Sequence, residues 1–379
     1  MKKSKLAVLG LTAALMVGTF AGCSSGGTAS GKKVTIDIYQ FKVETKNALD
    51  KAIAQYEKEN PNVTITEQTV GGGGDYAGTL KTKFSSGQEP AIYNIFGQTD
   101  THTWKDKDTD LSNEPWVSQA VSGTLGGATL DGKVYGMPFD LEGYGLLYNK
   151  TVFQKAGIDA SKLTTMSAID QAYATLDSQK SKLGLTAVTA WAAKETWVTA
   201  NHGMNPFIAP EFKDDESAYN SKTLAFNYND GFKKYVDLNI KYSYKPNGSA
   251  SSINSIDYTT QVEQLFALGK VAVIQQGNWI VPTVKGIDPD LAKNIGIIPI
   301  PVESRAGTIT GKVPVGVAAY WAINNDKDAD TVAACKKFLN WLYQSDEGKK
   351  MIVTNFGFIP PFKNYSDSLV SNLDPLSQD

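Results

Sequence analysis

The sequence predicts an α/β protein built as two bodies, on three observations. Strand-like and helix-like stretches alternate through the first hundred residues, the pattern of a parallel sheet with covering helices. Two long passages, Val134 to Tyr148 and Val313 to Ile323, stay extended without helical periodicity, as crossings between two bodies would. The 379 residues suit about two domains on the usual length prior.

Val34 to Ile38 (VTIDI) alternates apolar and polar residues and reads as a strand. Thr45 to Glu59 reads as a helix with Leu49, Ala52, Ile53 and Tyr56 on one face, ended by Asn60-Pro61. Val63 to Val70 is a second strand, Ala77 to Ser86 an amphipathic helix, and Ile92 to Phe96 a short apolar strand. Asp131-Gly132 between two β-rich segments signals a hairpin. Helical patterns return at Val152 to Ala156 and Met166 to Leu176, with short strands at Leu185 to Ala190, Val271 to Gln276 and Ile295 to Ile300. The run Gly71 to Gly74 follows a strand, but its spacing matches neither GxGxxG nor a GK[ST] loop. It reads as a flexible loop rather than a phosphate cradle. Lys105 to Asp110 (KDKDTD) reads as a solvated loop.

The chain begins with Lys2, Lys3 and Lys5 ahead of an apolar stretch from Leu6 to Phe20 that closes on Ala21-Gly22-Cys23. This is an export signal over residues 1–22, too short and too interrupted to span a bilayer. Its ending resembles a bacterial lipobox, which implies acyl chains on Cys23. Residues 23–32 then form a flexible Ser/Gly tether. Lipidation would hold the body at the cell membrane, on the extracytoplasmic face. An ordinary secretory signal with an incidental cysteine is the other reading.

Formal net charge is −2, so no basic field points to nucleic acid. Beyond Cys23 the one further cysteine, Cys335, sits in a helical pattern as a small buried hydrophobe, and no internal disulfide framework exists. The two histidines, His102 and His202, have no metal-ligand spacing, so neither a metal nor any other cofactor is expected. Seven Trp, 17 Tyr and 15 Phe are more telling, because several lie beside Gly, Asn, Gln or Asp in loops.

The passage Gly132 to Lys150, GKVYGMPFDLEGYGLLYNK, resembles family 1 extracellular solute-binding proteins, the maltose-binding-like group that feeds ABC sugar importers. Three further passages fit: Phe266 to Trp279 (FALGKVAVIQQGNW), Pro314 to Ile323 (PVGVAAYWAI), and Ala333 to Ile359 around Ser345-Asp-Glu-Gly348 with NFGFI. The resemblance implies the two-lobed type II periplasmic-binding-protein-like fold with a ligand cleft between the lobes. Its three crossings would fall near Phe139 to Tyr144, Val315 to Ala319 and Phe356 to Phe358. The first lobe would comprise 33–141 and 318–355, the second 142–317 and 356–379. The family implies further helices and an aromatic-bearing tail past the GFIP-like segment, whereas this sequence ends at Asp379.

A sugar site needs flat aromatic platforms and planar hydrogen-bonding groups. The resemblance places a stacking tryptophan at Trp279, after the strand ending at Gln276, with Gln276 and Asn278 as hydroxyl partners. Asp140 and Glu142 stand on the first crossing. Two residues apart on an extended segment, they point to one face roughly 7 Å apart. Direct or water-bridged bonds to hydroxyls suit Asp140; a hinge salt bridge suits Glu142 equally well. Gln40 and Phe41 end the opening strand and Gln98 follows Phe96-Gly97, and ligands of open α/β sheets sit at such carboxyl ends. Trp197 is favoured over Trp191 beside the turn after Leu185 to Ala190. Tyr320 and Trp321 alternate on a strand, so one could face the cleft.

The expected function is capture of an oligosaccharide ligand and its delivery to the transmembrane subunits of an ABC permease. The protein would act as a monomer, without enzymatic activity, held to the membrane through Cys23. Two alternatives are a secreted carbohydrate-active enzyme (a lyase or glycosidase using Asp140 and Glu142) and a surface adhesin or chaperone.

Overall fold

The computed structural model describes residues 32–71 and 74–378. The export signal, Cys23 and the centre of the Gly71–Gly74 loop lie outside the described residues.

Strand β1 (Val34–Gln40) leads through a 3₁₀ turn at Val43–Thr45 into helix α1 (Lys46–Glu59). Buried Leu49, Ala52, Ile53 and Tyr56 recur every three or four residues, so one stripe of α1 covers the sheet. Strand β2 (Val63–Thr69), helix α2 (Tyr76–Ser85), strand β3 (Ile92–Ile95) and helix α3 (Gln98–Trp104) complete the opening α/β run. Asp75 caps α2 by accepting the Gly78 amide at 2.9 Å. The Asp131-Gly132 hairpin forms, with φ of 52° and 77°, the left-handed pair a two-residue turn demands.

Strand β4 (Met137–Pro138) is followed directly by β5 (Leu141–Asn149). Helix α4 (Met166–Leu183) runs seven residues past the expected Leu176. Nothing in its sequence breaks it until Gly184 (φ 74°) supplies the left-handed stop. Strand β6 is only Thr189–Ala190, because the Leu185 amide already caps α4 through Lys180 O. Then come helices α5 (Asp215–Asn220) and α6 (Asn229–Tyr242), strand β7 (Val273–Gly277), helix α7 (Val281–Ile287) and strand β8 (Ile295–Ile298). Strands β9 (Val315–Val317) and β10 (Tyr320–Ile323) precede helix α8 (Ala329–Gln344).

The strands make two five-stranded arrays. One has the order β2-β1-β3-β10-β4; the other has β8-β5-β7-β6, with β9 paired to the start of β5. Each array carries its own apolar cores. Three segments pass between the arrays: Phe139-Asp140, Ala318-Ala319 and the stretch after Phe356. They lie side by side, Val317 pairing with Leu141 and Leu141 with Ile359. The Phe139 amide donates to Ala319 O at 2.9 Å.

Two expectations change. From sequence, 356–379 goes with the second lobe; in the fold, Phe356, Phe358, Phe362, Tyr365 and Leu373 join the first array's core. Only Leu376, in the terminal turn Pro375–Gln378, joins the second. These aromatics fill the space beside α8 that an apolar run so soon after it most readily covers. Tyr320 and Trp321 do alternate, but both of their faces are interior: Tyr320 packs in one core and Trp321 in the other. Neither turns toward a cleft. Cys335 is fully buried, as its helical neighbours imply.

Candidate functional site

The carboxyl ends of β1 and β7 and the crossing at Asp140 converge on one crevice. It is lined by Lys42, Asp140, Glu142, Asn278, Trp279 and Phe358, among others, and leaves a cavity of only about 10 Å³. Ligand pockets commonly hold roughly 300–1,000 Å³, so the lobes are drawn together here and must part to admit anything as large as an oligosaccharide. A wider charged depression lies elsewhere, between α4 and α6. It has no aromatic wall and sits away from the crossings, so the crevice is the better candidate.

Trp279 follows β7 through Gly277-Asn278, and only 8 % of its surface is exposed. Its indole lies over Gly277: a Cβ there would come within 2.0 Å of the ring, so glycine is needed for the ring to reach this position. The indole nitrogen donates to Gln276 Oε1 at 2.9 Å, and Gln276 Nε2 donates to Gln261 Oε1 at 2.6 Å. Gln276 therefore orients the platform rather than presenting a free amide. The His202 ring stands 5.0 Å from Trp279 and stacks on Tyr144 at 4.5 Å. Trp197 lies 6.3 Å from Trp279 and 6.2 Å from Tyr258. These five rings form one continuous aromatic wall on the second lobe.

Lys42 faces that wall from the first lobe. Its ammonium pairs with Glu142, stands 3.9 Å from Asp140, and lies over the Phe41 and Phe358 rings at 5.7 and 5.9 Å. Burial disfavours the ammonium, but the charges of Glu142, Asp140 and Glu44 outweigh it and hold Lys42 above its ordinary pKa. Burial pushes the Asp140 carboxyl well up; the negative charge of Glu142 adds to this, and Lys42 only partly offsets it. Burial also raises Glu44, which sits beside the Tyr258 hydroxyl of the opposite lobe. Asp140 Oδ1 and His202 Nδ1 are buried without a hydrogen-bond partner in the protein. Asp140 lines the crevice, where an unpartnered polar atom is a ready-made contact for a ligand hydroxyl.

Of the residues expected from sequence, Asp140, Glu142, Asn278 and Trp279 meet in the crevice, with Trp197 and Gln276 supporting Trp279. Asn278 braces the crossing, accepting the Gly143 amide at 3.0 Å and donating to Ser377 Oγ at 3.2 Å. Phe41 packs among Phe96, Tyr76 and Phe139 at the lobe's rim. Gln40 is engaged within its own lobe, and Gln98 is engaged through its nitrogen, its Oε1 being buried without a partner. The Gln40 amide bonds Lys42 O, Glu67 and Thr69, and Gln98 Nε2 bonds Gly126 O and Thr129 O. Sequence reasoning missed Lys42, Glu44, Tyr144, His202 and Tyr258. Lys42 and Glu44, directly after Gln40-Phe41, carried the same strand-end signal; His202 was passed over for lack of a metal spacing.

His202 makes a pH test. Burial, then the Lys42 charge, lowers its pKa to about 4, against about 6.5 when unfolded. A depressed imidazole contributes stability that is present above pH 6.5 and lost as pH falls toward 4. Between those limits the native protein should lose roughly 3 kcal/mol relative to His202→Gln. Urea unfolding of both proteins at pH 7 and pH 4 checks this; parallel losses would refute it.

A model of the family described as bacterial extracellular solute-binding protein matches residues 51–376. The chain is 25% identical over 321 residues to the multiple sugar-binding protein of Streptococcus mutans serotype c, covering 80% of this chain and 70% of that protein. It is 24% identical over 360 residues to the melibiose/raffinose/stachyose-binding protein MelE of Bacillus subtilis, with 93% and 79% covered. Among solved structures, a chitin oligosaccharide binding protein superposes with a TM-score of 0.71 at 22% identity, over 92% of this chain and 85% of that one. The solute-binding protein RafE in complex with raffinose gives 0.69 at 20% identity, over 88% and 84%. These likenesses show the two-lobed fold.

Proposed function

The chain belongs to the bacterial extracellular solute-binding proteins, and on that premise we propose that it captures an oligosaccharide between its lobes and delivers it to an ABC permease. Its relatives and its neighbours in fold are binding proteins, and it is a binding protein rather than an enzyme. The observation that carries the saccharide reading is the wall of Tyr144, His202, Trp279, Trp197 and Tyr258 facing unpartnered Asp140 Oδ1. Apolar C–H faces of a sugar stack on such rings while its hydroxyls bond the polar atoms. The melibiose, raffinose and stachyose named for one relative, and the chitin oligosaccharide named for a fold neighbour, support that class.

The first lobe comprises 33–141, 318–355 and, from its packing, the segment to Leu373; the second comprises 142–317 and the terminal turn. The three crossings act as the hinge, and closure gives a permease a shape to recognise. Acyl chains on Cys23 would tether this monomer outside the cell membrane.

Tryptophan fluorescence and calorimetry against melibiose, raffinose, stachyose, maltose, maltotriose and chitobiose test the reading. Saturable binding of at least one saccharide, with no reducing ends released on prolonged incubation, is expected. No response to any saccharide, or binding of peptides instead, would reject the substrate class.

A further inference from the structure

We propose that residues Phe212 to Leu224 form an arm from the second lobe that clasps the first and limits the length of saccharide the cleft accepts. The inference rests on the saccharide reading above. The chain leaves the aromatic wall at His202, and Asn205 Nδ2 donates to the Tyr144 hydroxyl at 3.2 Å. After the short turns Asn205–Ile208 and Ala209–Glu211, the chain projects outward. The arm's base is built. The Glu211 carboxylate accepts the Ala225 and Phe226 amides at 3.1 Å each and the Asn227 amide as well. Phe226 is held at φ 55°, a left-handed backbone that costs a non-glycine residue roughly 1–2 kcal/mol.

The tip is helix α5, closed at its start by a capping box between Asp214 and Ser217. It packs against α3 and Gly126–Ala128 of the first lobe. There the Tyr219 ring stacks on His102 at 4.1 Å and 12°. No other part of the arm is buried in its own lobe: Lys213 to Glu216 and Ala218 to Ala225 are exposed. An exposed six-residue helix is far too short to persist alone, so the contact with the first lobe is what orders it. The first lobe's α3 starts just past the carboxyl end of β3, the end at which open sheets bind ligands, and carries His102 one turn after Gln98. The arm therefore crosses beside the carboxyl end of β3, and Val43–Thr45 with α7 makes a separate interlobe contact. A saccharide running out along the rim meets the arm; a short one does not.

Two measurements on Tyr219→Ala and on a variant with Lys213 to Lys222 replaced by Gly-Ser-Gly test this. Without ligand, hydrogen exchange in wild type should protect the amides of α5 and Gly126–Ala128, and Tyr219→Ala should lose that protection. Unchanged exchange overturns the clasp whatever the protein binds. In calorimetry with melibiose, raffinose and stachyose, and with maltose to maltopentaose, both variants should keep the affinity of the shortest bound member within about twofold. They should gain about tenfold or more for the longest. Equal change across lengths overturns the length limit. Loss of protection in a protein that binds no saccharide overturns the length limit together with the saccharide reading, and leaves only the clasp.

Discussion

Trp279→Ala weakens saccharide binding by about 2 kcal/mol or more, roughly thirtyfold, the usual consequence of truncating a buried aromatic anchor. The indole is held on one side by Gly277 and at its nitrogen by Gln276, and it meets His202 and Trp197. Its removal takes away the centre of the wall. It also leaves Gln276 Oε1 without its donor, and such core truncations cost about 3–5 kcal/mol of stability. Calorimetry separates the two effects, provided near-ultraviolet circular dichroism shows the variant folded. Trp279→Phe, which keeps a flat face but not the N–H, should retain most of the affinity. A folded Trp279→Ala protein that binds as tightly as wild type would remove this residue from the site.

Lys42→Met is expected to be strongly destabilising. Removing one partner of a buried ion pair strands the other, at a cost of about 3–5 kcal/mol. Here Glu142 loses its counter-ion and Asp140 its only nearby cation among the described residues. Both Lys42 and Asp140 have raised pKa values in the fold. The stability Lys42 contributes is therefore present below its unfolded value of about 10.4 and lost only as pH rises through its higher folded value. Asp140, also raised, takes up its proton more readily folded than unfolded. Acidifying the variant protonates Asp140 and should narrow the deficit. Urea unfolding at pH 7 and pH 5, with Lys42→Met/Glu142→Gln as partner, checks the account. A deficit that stays constant with pH and is not reduced in the double variant would refute it.

Much of this was legible in the sequence, for identifiable reasons. Alternation in β1 and the stripe of α1 are local signals, and local signals survive into the fold. The Asp131-Gly132 turn carries its own backbone chemistry. Trp279 and Asp140 come from the resemblance, which implies a stacking tryptophan after the strand ending at Gln276 and a crossing at Asp140. What failed was everything decided by a distant partner. Gln40 has the right residue type at the right place, but Thr69 and Glu67 claim its amide. His202 lies in a π-helical turn, and only the fold brings it 5.0 Å from Trp279. Phe356 to Leu373 offered apolar residues to either lobe, and nothing local tells which core takes them.

The pairing of β3 with β10 has a bearing on how the chain matures. Ile92 must find Ile323 and Ile95 must find Tyr320 before the first sheet is whole. More than two hundred intervening residues, the entire second sheet among them, are synthesised before that partner exists. Contacts so remote in sequence form slowly. The first sheet therefore stays incomplete until nearly all of the chain has left the ribosome, whereas the second has all of its strands within residues 141–317.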